Sequence, residues 1–359
     1  MTENHDSSTA HDPSEKDGFA DGRTLVIGLR GWNDAGDAAS DAVSMVRRHL
    51  ADRSELLWNC DDEVFFDYSL HRPMVQFNGG EREIVWPNIV VTGPKNPDER
   101  GDDIAADAGM RISASNSRIY VMSGVEPTLR WKTFAKRVIE FVDEHEITRI
   151  VLVGALLADA PHTRPIPVYA SSDDAIVRDE LGVSRSEYEG PTGILGIISA
   201  AIRERDDLRA LSLWASVPHY AHSSPSPKAV SALLDKLEEV LDLSIPRSEL
   251  LSEVETWEAE INEMTAEDED LVRYISFLES TYDTVEAPEA SGEAIAREFE
   301  RFLEQSQPQP PKGQASHPST RRLGQPRATD EPITPDARVN RDDEDGQPGT
   351  QPSSGDLAD

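Results

Sequence analysis

Cysteine is almost missing from this chain. Cys60 stands alone among 359 residues, which excludes an intrachain disulfide and a thiolate metal cluster. Long apolar runs are missing too. The most apolar stretch, residues 150–157 (IVLVGALL), is too short to cross a bilayer as a helix. No basic region followed by an apolar stretch opens the sequence, so no secretory signal is expected. Positive charge is scarce: 35 Lys and Arg face 68 Asp and Glu, a formal net charge of −33. Such a surface repels phosphate backbones and anionic lipids, so neither nucleic acid nor membrane is expected as a partner. The expectation is a soluble cytoplasmic protein. Aromatic residues vanish altogether from residues 306–359, which hold nine Pro and five Gly. That composition buries too little apolar surface to offset its ordering entropy.

What is present divides into four expected parts. Residues 1–21 and 305–359 read as disordered, 22–245 as an α/β domain and 246–304 as an acidic helical subdomain. The acidity is concentrated: residues 247–304 carry 18 acids against 4 bases. This is either a solvated face or a docking surface for a basic partner.

The α/β reading rests on alternating short apolar runs and helical periodicities. Residues 25–29, 55–59, 63–67, 74–77, 83–86, 88–92, 118–122, 149–157 and 210–217 are expected strands. Asn78-Gly79-Gly80 between two of them signals a hairpin. Helices are expected after residue 33, over 128–145 and over 193–203, so the sheet should be mainly parallel and covered on both faces. The segment at 193–203 is apolar on almost every side, which suits deep burial or a subunit interface. Beyond Pro227 the pattern is purely helical. It closes with a hairpin joined near Thr265, where Thr265 and Asp268 resemble a capping box, and a last helix near 294–303.

Four segments carry candidate chemistry. Gly31-Trp32-Asn33-Asp34-Ala35-Gly36 is a glycine turn entering a helix, able to offer backbone N–H groups to an anion. It lacks both the dinucleotide spacing and the Gly-Lys-Ser/Thr of a phosphate loop, and a tight turn with a capped helix is the plainer reading. Ala160 to Pro165 follows the most apolar strand, where ligands of open α/β sheets collect; His162 suits acid–base work and Arg164 an anion, or a structural ion pair. Tyr188 to Gly193 is a second glycine turn, with Pro191 expected at a first helical position. Val217-Pro218-His219-Tyr220 follows another apolar strand. Trp32, Asn33, Asp34, His162, Arg164, Thr192, His219 and Tyr220 could therefore ring one crevice. No Gly-x-Ser-x-Gly elbow or His-Glu-x-x-His occurs, so no catalytic residue, metal or cofactor is assigned.

These segments in this order resemble the PAC2 family, named for proteasome assembly chaperone 2. The resemblance is carried by GWNDAGDAA at 31–39, EPTLRW at 126–131, LLADAPHTRPIPV at 156–168, EGPTGILGII at 189–198 and ASVPHYAHSSPSPKAVSALL at 215–234. It spans roughly residues 23–284 and looks closest to the actinobacterial branch. It implies a three-layer α/β/α core like that of nucleoside phosphorylases and homo-oligomers, a trimer being the best guess. It also implies relatives that assist proteasome particles. On that basis the chain is expected to be a non-enzymatic assembly chaperone or adaptor with a protein partner. The alternative is a small-molecule enzyme or sensor using a crevice near His162 and Arg164. Some relatives are labelled carboxylate–amine ligases, but this chain has no ATP-handling glycine–lysine loop. Relatives usually carry an acid where Thr128 stands, and proteasome-docking relatives end in hydrophobic-Tyr-X, whereas this sequence closes Leu357-Ala358-Asp359.

Overall fold

Strand β1 (Thr24–Arg30) forms the axis of the molecule, because its side chains feed two cores in alternation. Leu25 and Ile27 point to one face and Val26 to the other, all fully buried. The computed structural model describes residues 18–19, 22–61, 63–97, 118–222 and 225–286. The expected tail at 305–359, the last helix near 294–303 and most of the polar excursion after Gly93 lie outside these residues.

Around β1 lie β2 (Ser54–Cys60), β5 (Ile89–Pro94), β6 (Ile119–Val125), β7 (Arg149–Ala158), β8 (Val168–Ser171) and β9 (Arg209–Pro218). The sheet order is β2-β5-β6-β1-β7-β9-β8. The centre is parallel: β1 pairs with β6 and with β7, and β7 with β9 over ten residues, Arg149↔Arg209 to Ala158↔Pro218. The edges are antiparallel, β2 to β5, β5 to β6 and β8 to β9. The sheet is thus mixed, parallel only where strands are covered on both sides.

One face is covered by α1 (Ala38–His49) and α5 (Pro227–Leu241), which contribute Val43, Val46, Leu233 and Leu237. The other is covered by α2 (Trp131–Glu144) and α4 (Ile194–Arg203), through Phe134, Val138, Leu195 and Ile198. The apolar spacing along each helix matches its 3.6-residue period, so each presents one greasy stripe to the sheet. In α4 that stripe is Ile194, Leu195, Ile198 and Ile202; its opposite side is only partly covered.

A short helix α3 (Ala175–Leu181) follows β8, and α6 (Ser248–Ala266) and α7 (Glu269–Glu286) form the closing hairpin. Strands β3 (Met74–Asn78) and β4 (Glu81–Val85) form a separate two-stranded sheet around Gly79 and Gly80, both at positive φ. Asn78-Gly-Gly therefore made the expected turn, yet both strands are exposed on both faces.

Several expectations need correction. Residues 63–67 are not a strand: they fold as a turn that sends both Phe65 and Phe66 into the core, with Thr128 closing it. The Thr128 hydroxyl accepts from the Asp67 N–H at 2.6 Å and faces the Phe65 carbonyl. Strand β8 and helix α3 escaped the sequence reading because they are short, 4 and 7 residues, and show too little of a period. Pro191 is not at a first helical position, since α4 starts at Ile194. Thr265 turns its hydroxyl back to the Ile261 carbonyl, and Asp268 alone caps α7 through the Asp270 and Leu271 N–H groups. The expectation that the first 21 residues lie outside the fold fails at Phe19, which is 2% exposed in the α1–α5 core.

Candidate functional site

The parallel strands end at one edge of the sheet, and the candidate residues stand there in two hydrogen-bonded groups. The first surrounds Glu126, just past β6. Its carboxylate accepts from the Trp32 N–H at 2.7 Å and from the Ile194 N–H at 2.8 Å. One buried side chain thereby ties the β1–α1 turn to the N-terminus of α4, where a negative charge suits the helix dipole. The approach needs glycine on both sides. A Cβ on Gly31, whose φ is +153°, would lie 2.5 Å from the carboxylate, and one on Gly193 would lie 2.1 Å from Asn33 Oδ1. Thr192 sits beside Gly193, exposed, and Trp32 is 73% exposed.

Asp34 serves the second helix end. Its Oδ1 accepts from Ala39 and Ser40 N–H at 2.8 and 3.0 Å, while Oδ2 is buried without a partner among the described residues. Burial pushes its pKa up to about 6, against the opposing pull of the Ser40 hydrogen bonds. Both glycine turns thus do lead to helix N-termini, but the chain's own carboxylates already occupy them.

The second group centres on His162, which is 1% exposed. Tyr220 Oη accepts from the His162 backbone N–H at 2.8 Å and lies 2.9 Å from Nδ1; Nε2 lies 3.1 Å from Asn262 Oδ1. A neutral ring satisfies all of these when Nε2–H donates to Asn262 and the Tyr220 hydroxyl donates to Nδ1. Burial lowers the His162 pKa, and the nearby Lys228 ammonium adds to that. Lys228 donates to the His162 carbonyl and pairs with Glu258 of α6. Arg164 makes a fork to Asp283 of α7, Nε to Oδ1 at 2.7 Å and Nη2 to Oδ2 at 2.8 Å, with Glu279 beside it. His219 Nδ1 lies 3.4 Å from Asp159 Oδ1, and its ring meets those of Tyr220 and Tyr274.

Trp32, Asn33, Asp34 and Thr192 are therefore brought together by the turns around Glu126. His162, Arg164, His219 and Tyr220 are brought together by the α6–α7 hairpin. Among the described residues no hydrogen bond joins the two sets, and the second set packs against the α6–α7 hairpin. Among the described residues no group of three His, Cys, Asp or Glu side chains could hold a metal ion. No described helix is long and apolar enough to cross a membrane.

The PAC2 family model matches residues 28–265, well over half of the chain, taking in the group around Glu126 and all of the second group but Tyr274, Glu279 and Asp283. The chain belongs to the PAC2 family. The solved PAC2 family protein from Streptomyces avermitilis is 34% identical, with a TM-score of 0.60 over 70% of this chain and 98% of its own. A proteasome-assembly chaperone homologue from Mycobacterium tuberculosis is 36% identical, with a TM-score of 0.58 over 70% and 99%. A protein from Corynebacterium glutamicum at 24% identity and TM-score 0.60, covering 78% and 93%, shares the fold. No curated protein matches.

Sequence reasoning missed Glu126, Asn262 and Lys228 in this PAC2 chain. Glu126 had a legible signal: an acid directly after an apolar strand, inside the EPTLRW segment that carries the resemblance. Asn262 had none, being one polar residue on an acidic helix. Lys228 looked like an ordinary first-turn helix residue, and only the fold turns it toward His162.

Proposed function

We propose that this PAC2 protein is a non-enzymatic assembly chaperone or adaptor that works as a cytoplasmic homo-oligomer, a trimer being the favoured state. The observation that carries the proposal is 36% identity to a proteasome-assembly chaperone homologue along 99% of that homologue's length. The chemistry of the sheet edge supports it. The two most reactive candidates, His162 and Arg164, are committed to Tyr220, Asn262 and Asp283. A general base needs a route to substrate, and His162 is buried under its own helices. Reading the core as kin to nucleoside phosphorylases belongs to the same proposal and concerns ancestry of the layers, not retained catalysis.

The test is a timed native gel. Proteasome α and β subunits of an actinobacterium, purified apart and mixed, should form particles faster or in higher yield when this protein is present. Unchanged assembly, with no subunit retained on the tagged protein, would overturn the proposal.

A further inference from the structure

A groove of about 760 Å³ runs between α1, the start of α5 and α6. Its base is apolar, formed by Met45, Val230, Leu250 and Trp257. Its walls are acidic: Glu249, Glu253 and Glu260 line it from α6 and Asp41 from α1, with Arg48 the single cation among the lining residues. Positions 249, 253 and 260 fall on one stripe of the helix, beside the buried stripe of Leu250 and Trp257. The volume is on the scale of two turns of helix, a cylinder about 10 Å wide and ~10 Å long.

One further observation bears on the occupant. Burial and the like charges of Asp37 and Glu253 raise the Asp41 pKa, with Arg30 and Arg48 opposing them in part, and a further cation at that wall would relieve the crowding.

We infer that this groove binds a basic amphipathic peptide segment of a protein partner, its apolar face on Met45, Leu250 and Trp257 and its cations against Glu249, Glu253 and Glu260. The mode is helix-in-groove recognition, with opposite charge along the rim setting register and association rate. A nucleic acid or anionic membrane would meet the same carboxylates as repulsion. The inference deepens the chaperone reading, but its readout is peptide binding alone, so failure of either leaves the other standing.

The probe is a fluorescein-labelled amphipathic peptide of Leu, Ala and Arg, followed by anisotropy at low salt, beside a matched peptide with Glu for Arg. The full chain should bind the first and not the second. The combined variant Glu249→Gln, Glu253→Gln, Glu260→Gln should bind at least about tenfold more weakly, with a shallower salt dependence. The equal-charge variant Glu255→Gln, Glu263→Gln, Glu267→Gln, altered on exposed positions outside the groove, should stay within about twofold of the unaltered chain. Equal binding by the groove variant and the unaltered chain overturns the inference, as does an equal loss in both Gln variants.

Discussion

Replacing His162 by alanine removes a ring that holds two elements at once, and the cost follows from what is left behind. Tyr220 and Asn262 lose their shared partner, and Trp257 loses the ring packed edge-on to it at 6.4 Å between centroids. Tyr220 is only half-buried and Asn262 is exposed, so water replaces part of what they lose, and His162→Ala should destabilise by about 1–3 kcal/mol in urea unfolding. Arg164→Ala should cost far less, since its fork to Asp283 is open to solvent, where ion pairs contribute little. The pH dependences of two buried groups run in opposite senses. The His162 pKa is lowered, so the folded form refuses a proton that the unfolded chain accepts, and stability falls as pH drops below the ordinary 6.5. Lys228, Glu258 and Glu279 face the same ring and set how far. The Asp34 pKa is raised from 3.8 to about 6, so the folded form holds a proton longer, and stability declines as pH rises through that window. Asp34→Asn keeps an oxygen for Ala39 and Ser40 and cannot ionise. It should equal or exceed the unaltered chain at neutral pH, by up to ~3 kcal/mol, and show a flatter profile between the two values. An Asn variant markedly less stable at pH 7 would show that the charge is needed.

At the scale of elements, the strands buried on both faces were legible and the pieces between them were not. Residues 149–157 read as a doubly buried strand, and β7 is buried from Arg149 to Ala155, though Leu156 and Leu157 emerge where β7 has outrun its pairing with β1 and pairs on with β9. The α6–α7 seam was legible through Leu250, Trp257, Ile261, Ile275 and Leu278, all buried. Met264, placed on that seam by the same spacing, is 49% exposed while Thr265 is buried, because the buried stripe steps by four from Trp257 through Ile261 to Thr265 and passes Met264 by. The stretch from Glu63 to Asp67 misleads for a physical reason: it has strand composition, but a turn can also bury two neighbouring aromatics. The candidate residues were named from the sequence as one crevice, and their division into two groups was not legible, since a sequence does not say which loop a helix will cover. Asp268 is a prediction at this scale. As the side chain capping α7, its replacement by Ala should cost about 1 kcal/mol, while Thr265→Ala, despite the sequence resemblance to a capping box, should alter the start of α7 little.

For the whole molecule, the boundary of the fold matters more than its tails. Phe19 is buried between elements on the α1–α5 side, with its backbone N–H donating to Glu180. A chain starting at residue 17 should melt with the full-length protein, and one starting at Gly22 should melt several degrees lower, because losing a buried Phe costs about 3–5 kcal/mol. Coincident melting of the two would show that Phe19 contributes nothing. Multi-angle light scattering should return three subunit masses at micromolar concentration; a single mass would sink the trimer. The hairpin's place in the chain also gives synthesis an order. Among the described residues, all nine strands and α1–α5 precede it, so the α/β body is complete before α6 leaves the ribosome. At about 5–20 residues per second, the roughly forty residues of α6 and α7 follow over a few seconds. Through that interval His162, Tyr220 and Ala221 stand uncovered. The nascent protein therefore passes through a sticky stage of its own, and whatever shields that patch on the ribosome stands where Trp257 and Asn262 later close.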